Sequence, residues 1–146
     1  MAASAWKVYT GAKKKLLNGG IDLDAGALRI KVVASAGAAA VSNFARSTFN
    51  SCGTALSFAN ADAKTLGNIV VTKISAGATT IKFDASNVVF TASGALSGMR
   101  YLVIGESAGD ALCWSKLSAE TDLGAGSTLT VTFNAAGIFT LSGGTT

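Results

Sequence analysis

Short runs of alternating apolar and polar residues fill the later part of this chain, parted by Gly, Ser and Asn-Ala turns. The clearest run is 128–134, where Leu129, Val131 and Phe133 fall on one face of a strand and threonines on the other. A period of two is typical of a β-strand with one buried face. Evenly spaced runs of this kind predict a mainly β fold, an antiparallel β-sandwich or barrel-like domain.

The other strands are predicted from the same pattern. Residues 101–104 are apolar on both faces, which favours a central, doubly buried strand. Residues 35–68 are less regular and are interpreted as an ordered excursion containing a short helix or an irregular hairpin. Turns are predicted at 22–26 and 76–78. The predicted strands are 28–35, 69–75, 79–84, 87–92, 99–105, 111–117, 128–134 and 137–142.

The N-terminal segment has a helical rather than a strand period. Trp6, Tyr9 and Lys13 follow a spacing of three and four, which predicts an amphipathic α-helix over 4–18. Ser4 is the candidate N-cap, and the Gly pair at 19–20 supplies the stop. At 146 residues the chain is interpreted as one domain, with a helical segment over 1–20 and a β domain over 28–146.

Composition favours a protein that works through its surface. Charged residues are 14% of the chain, against roughly 25% in an ordinary soluble domain. A surface poor in charge favours association over isolation in water. The net charge of +4 is partly local, because four lysines lie between residues 7 and 15. Without an arginine cluster or repeated aromatics, this run predicts a solvated helix face and no specific nucleic-acid binding.

Side chains suited to catalysis or metal binding are few. The chain contains no histidine and so lacks the commonest general base and metal ligand. Residues 105–109 match G-x-S-x-G around Ser107, but that motif needs a base and a following helix, whereas 111–117 is predicted as a strand. Cys52 and Cys113 fit no zinc spacing and are interpreted as buried free thiols, with a disulfide left open. We therefore predict no catalytic residue, no cofactor and no metal, with a serine hydrolase acting through Ser107 as the remote alternative.

Acidic residues form no recognisable site either. Asp22 and Asp24 resemble the start of a calcium loop, but the twelfth position is Val33, where a bidentate Glu is needed. The remaining carboxylates show no paired arrangement of the glycosidase type. The N-terminus lacks the apolar core of a signal peptide, and no apolar run is long enough to span a membrane. We expect synthesis in a cytoplasm and no membrane partner.

Large rings and basic side chains lie together near the N-terminus. Trp6, Lys7, Tyr9 and Lys13 are the candidate residues for a partner interface, because aromatic side chains are favoured at binding hot spots. The alternative is that the rings pack this segment onto its own sheet.

With these residues in view, the chain resembles a family of small structural proteins of tailed bacteriophages. Proteins of this family share the order helix, Gly-Gly turn with spaced aspartates, strand, and alternating β C-terminus. No catalytic residues exist in the family to carry over. The resemblance is carried by residues 6–13, 16–24, 28–33, 61–67, 101–104 and 126–141.

What the resemblance implies is a virion component. It implies a capsid decoration or cement protein on the outer surface of the head, made in the host bacterial cytoplasm and bound to the major capsid protein. Self-association as a trimer or dimer is expected on symmetry grounds. A tail, tail-fibre or connector protein is the alternative, although the chain has neither repeats nor heptads.

Overall fold

A computed structural model describes residues 5–23, 28–59, 61–73 and 80–142. Of the described residues, 47% lie in strands and 12% in helices, which confirms the prediction of a mainly β fold with a short N-terminal helix. The strands are β1 Lys7–Val8, β2 Leu28–Ala34, β3 Ala63–Thr65, β4 Val70–Lys73, β5 Thr80–Asp84, β6 Val88–Thr91, β7 Leu96–Glu106, β8 Ala111–Leu123, β9 Thr128–Val131 and β10 Phe139–Ser142. The helices are α1 Thr10–Leu17 and the single-turn α2 Ala38–Val41, which follows a 3-10 turn at Ser35–Gly37.

A five-stranded antiparallel sheet in the order β1-β8-β7-β2-β3 forms the centre of the structure. The hairpin of β7 and β8 lies in its middle, and residues 101–104 are buried as predicted. Register places Ile30, Ile104 and Cys113 side by side on one face, and Lys31, Val103 and Trp114 on the other. All six side chains are buried, so both faces of this sheet are covered by other parts of the chain.

Two smaller sheets, β10-β5-β4 and β6-β9, supply a second layer with an apolar inner face. In β6 and β9 the side chains of Val88, Phe90, Leu129 and Val131 are buried while the residues between them are more exposed, as the alternation predicts. Phe58, from the segment between β2 and β3, packs its ring against that of Phe90 with the centroids 4.8 Å apart. All three sheets are antiparallel, and their arrangement is compatible with the predicted sandwich.

The excursion between β2 and β3 covers the opposite face of the central sheet. Part of the excursion runs antiparallel to the end of β2. There Leu56 donates its N–H to the Val32 carbonyl, and Ala55 forms an isolated β-bridge with Val33. Lys31, only 3% exposed, holds the excursion to β2 by donating from Nζ to the Phe49 and Gly53 carbonyls at 2.7 and 2.6 Å. The excursion thus contributes to the core, as the sequence predicted for an ordered segment.

The predicted helix over 4–18 is wrong in its first part. Residues 7 and 8 form strand β1, and α1 begins only at Thr10. Tyr9 has an extended backbone and donates its N–H to the Leu112 carbonyl at 3.0 Å, so pairing with β8 overrides the helical spacing of the side chains. The helix ends at Leu17, and Gly19 follows at a φ of +68°, which confirms the predicted stop.

Strand boundaries differ from the predicted ones chiefly in the central hairpin. Strands β7 and β8 run for 11 and 13 residues, because pairs such as Leu96 with Leu123 extend the ladder beyond the apolar stretch. Strand β3 was not predicted, since its three residues carry no alternation. Ser4, most of the predicted turn at 22–26 and the turn at 76–78 lie outside the described residues.

Candidate partner-binding groove

An open groove of about 920 Å³ lies beside the edge of the central sheet. One wall is residues 5–8, which include β1, together with Lys13 of α1 and Phe44 of the excursion. The other wall is formed by residues 132–134 and 137–140, leading into β10. We call this feature the β1 groove. Its volume lies within the roughly 300–1,000 Å³ of ordinary ligand clefts.

Three of the four predicted interface residues line the β1 groove. Trp6 is partly buried, and Lys7 and Lys13 are exposed. Tyr9 is fully buried and its hydroxyl donates to the Val41 carbonyl at 2.8 Å, so it offers a partner no contact area. Tyr9 instead fixes the junction of β1 and α1 to α2, and burial raises the pKa of its hydroxyl well above the ordinary range.

The aromatic rings of Trp6, Phe44, Phe133 and Phe139 line the groove, and the buried Trp114 ring lies behind Lys7 and Phe44. Trp6 packs against Phe133 across it, with ring centroids 5.9 Å apart. Lys7 Nζ lies 4.9 Å from the centre of the Trp114 ring, and Phe44 packs against the same ring at 6.0 Å. The Trp114 Nε1–H is buried and has no hydrogen-bond partner within the described residues. An open, aromatic-lined depression of this kind resembles the centre of a binding interface.

The far wall is held by a tight turn before β10. Gly137 donates its N–H to the Asn134 carbonyl at 2.8 Å, and Ile138 donates to the Phe83 carbonyl at 2.8 Å. Lys82 Nζ donates to the Ala135 carbonyl from the neighbouring strand. Sequence reasoning predicted this turn but not its place in a site, because nothing in the sequence indicates that residues 132–140 face residues 5–8.

The charge of the groove is positive. Lys7 and Lys13 line it, and no carboxylate belongs to the described lining. Lys15, by contrast, donates to Asp110 at 2.6 Å and ties α1 to the turn between β7 and β8. The predicted solvated lysine face is therefore divided between an ion pair and a basic rim on the groove.

The backbone of β1 also faces the groove with one open edge, because β1 is the terminal strand of its sheet. Tyr9 is hydrogen-bonded to Leu112, and in an antiparallel ladder such residues alternate with residues whose backbone groups point away. The N–H and C=O of Val8 therefore point outward. Within the described residues, neither has a backbone partner.

Ser107 lies elsewhere, in the exposed turn between β7 and β8. A strand follows it, as predicted, and not the helix of a nucleophile elbow. Ser107 and Lys31 line the same depression, but Lys31 Nζ is already bonded to two carbonyls. Burial lowers the pKa of Lys31, and nearby Cys52 offsets part of that effect. A hydrolase acting through Ser107 remains a prediction that nothing in this geometry favours.

Metal-ligand and thiol chemistry are sparse in the part of the chain that the structure describes. Those residues contain no group of three or more His, Cys, Asp and Glu side chains that would hold a metal. Cys52 and Cys113 are buried free thiols, as predicted, and burial raises the pKa of Cys113. Across the described ranges, none of the helices has the length and apolar content needed to cross a bilayer.

Comparisons with known proteins add no relative to this description. No protein-family model matches the chain, and neither the search of curated proteins nor that of solved structures found a match.

Proposed function

We propose that this chain is a structural protein of a tailed bacteriophage virion, bound as a decoration or cement protein to the outer surface of the head. There it would bridge neighbouring major capsid subunits and stabilise the shell against internal pressure. The proposal draws on the resemblance of six stretches to small phage structural proteins and on the low charge of the chain.

The β1 groove is the observation that carries the proposal. It combines aromatic rings, two lysines that form no ion pair with any described residue, and an open strand edge in one place, which are the components of a protein-binding site. These components hold a partner without any covalent chemistry. Attachment to a shell through this groove requires only that an element of the capsid protein enter it.

The shell would be stabilised by the large number of copies of this protein bound to it. A standard interface buries roughly 800 Å² on each partner, and a decoration protein repeats it over the whole shell. When each molecule contacts two or more capsid subunits, the second contact forms at high effective concentration. Modest individual affinities then add up to a large resistance to expansion of the shell.

Quantitative mass spectrometry of purified particles tests this proposal. We expect the chain in a copy number of the same order as the major capsid protein, with the portal protein as the low-copy internal standard. A copy number near that of the portal would contradict decoration and favour the tail or connector alternative. Absence from purified particles would contradict both virion roles.

A further inference from the structure

We propose that the β1 groove binds an extended acidic segment of a partner protein, which adds to β1 as a sixth strand of the central sheet. The inference rests on the proposed assembly function for the source of that segment. Its chemistry, however, follows from the groove alone and is tested without a virion.

The open edge of β1 supplies the backbone contacts. The outward N–H and C=O of Val8 are placed to pair with an incoming strand, which is how β-augmentation gains its affinity. The central sheet accepts an added strand here because β1 is both terminal and flanked by a groove. Its opposite edge, β3, does not line this groove.

Alternation along β1 specifies the side chains of the segment. Val8 pairs with Cys113 and Lys7 with Trp114, so the apolar residues of β1 and its lysine lie on opposite faces of the sheet. An added strand would place successive side chains on those same two faces. Apolar side chains would meet Trp6, Val8 and Phe133, and the residues between them would meet Lys7.

Charge selects the residues that meet Lys7. Lys7 and Lys13 lie on the groove without a carboxylate in its described lining, so Glu or Asp at alternate positions complements them. The chain's own residues 1–4 contain no acidic side chain and so do not supply this complement. The expected ligand is therefore an extended segment that alternates acidic and apolar residues.

The test uses the full chain and an acetylated, amidated hexapeptide of alternating Glu and Val, with an alternating Lys and Val peptide as the control ligand. Binding is followed by tryptophan fluorescence and by NMR of the backbone amides. We expect saturable binding of the Glu peptide only, with the Val8 amide shifted and protected from exchange. No binding at millimolar peptide, or binding that leaves the Val8 amide unchanged, would overturn the inference.

Two substitutions sharpen the assignment. Lys7→Glu should weaken binding at least tenfold, whereas Lys14→Glu, with the same charge change on an exposed lysine outside the groove, should leave it within twofold. Equal loss in both variants would assign binding to net charge and contradict the proposed site. A single-stranded oligonucleotide that bound in a Lys7-dependent manner without protecting the Val8 amide would assign the groove to a phosphate backbone instead.

Val8→Pro removes the outward N–H while leaving the β1–β8 ladder bonds in place, as proline permits at a strand edge. We expect this variant to fold by near-UV circular dichroism and to lose peptide binding. If it does not fold, protection of the Val8 amide in the wild-type chain decides the question. Peptide binding combined with absence from phage particles would leave this inference standing and remove the proposed virion role, while the reverse result would do the opposite.

Discussion

Single residues inside this protein carry polar contacts that no alternating pattern predicts. Lys31 occupies a strand position, yet it is buried, stacks 4.7 Å above the Phe49 ring and donates to two carbonyls of the excursion. A buried ammonium is tolerated because those carbonyls replace part of its hydration. The side chain therefore joins the excursion to the central sheet.

Replacing Lys31 with Met should lower the free energy of unfolding by about 1–3 kcal/mol, because the buried Phe49 carbonyl and the partly buried Gly53 carbonyl lose their donor. Urea denaturation measures the change. Lys14→Met, at an exposed lysine of α1, is the matched control and should stay within about 0.5 kcal/mol of the wild type. Equal stability of the two variants would contradict the role assigned to Lys31.

The same residue predicts a pH dependence. Burial holds the pKa of folded Lys31 below its ordinary 10.5. In the pH range between this lowered pKa and 10.5, the unfolded state therefore binds more protons than the folded state. Stability then rises with pH across that window. The difference in unfolding free energy between wild type and Lys31→Met should grow as pH approaches 10.5. A pH-independent difference would contradict burial as the cause.

Tyr9 offers a second test at this scale. Tyr9→Phe removes the donor to the Val41 carbonyl and should cost about 1–2 kcal/mol of unfolding free energy. Its raised pKa keeps the folded hydroxyl neutral where the unfolded one ionises, so stability falls above about pH 10, and Tyr9→Phe should lose that fall. Tyr101→Phe is the control, because the Tyr101 hydroxyl forms no hydrogen bond within the described residues. We expect this variant to change the free energy of unfolding little.

The alternating pattern in the sequence predicts a strand correctly where only one face of that strand is buried. The period of two in 128–134 predicted the inward side of β9, and the apolar run 101–104 predicted a central strand. Strand β1 was missed because a two-residue edge strand carries no period, while Trp6, Tyr9 and Lys13 show a helical one. The two walls of the β1 groove come from opposite ends of the chain, so only tertiary packing brings them together.

The turn that forms the far wall of the groove depends on a glycine. Gly137 has a φ of +96°, and a Cβ there would lie 2.5 Å from Lys82 Cγ and 2.8 Å from the Phe83 carbonyl oxygen. Gly137→Ala should therefore destabilise the protein and weaken binding in the β1 groove. Gly126→Ala is the control, because Gly126 has a similar φ of +77° but open space around it.

Thermal and urea unfolding compare the two alanine variants. Gly126→Ala should cost about 1 kcal/mol from backbone strain alone, and Gly137→Ala about 1–3 kcal/mol more because of the steric contacts. Equal costs would show that the turn shifts freely, and the far wall would then not be fixed by Gly137.

At the scale of the whole molecule, a surface poor in charged residues predicts association. Half-exposed side chains such as Val71, Ile81 and Leu141 lie on the three-stranded sheet, and the sequence predicts self-association as a trimer or dimer. Sedimentation equilibrium at micromolar concentration should give a molecular mass two or three times that of one chain. A monomer at all concentrations would contradict this prediction and leave the capsid protein as the expected partner.

Cryo-electron microscopy of intact particles tests the central claim most directly, since it locates both the chain and its groove. We predict density for this fold in many copies on the outer head surface, at or near symmetry axes. In that density the β1 groove should hold an extended segment of the capsid protein. Density confined to the tail or portal vertex, or a β1 groove facing solvent on a decorated head, would contradict the account.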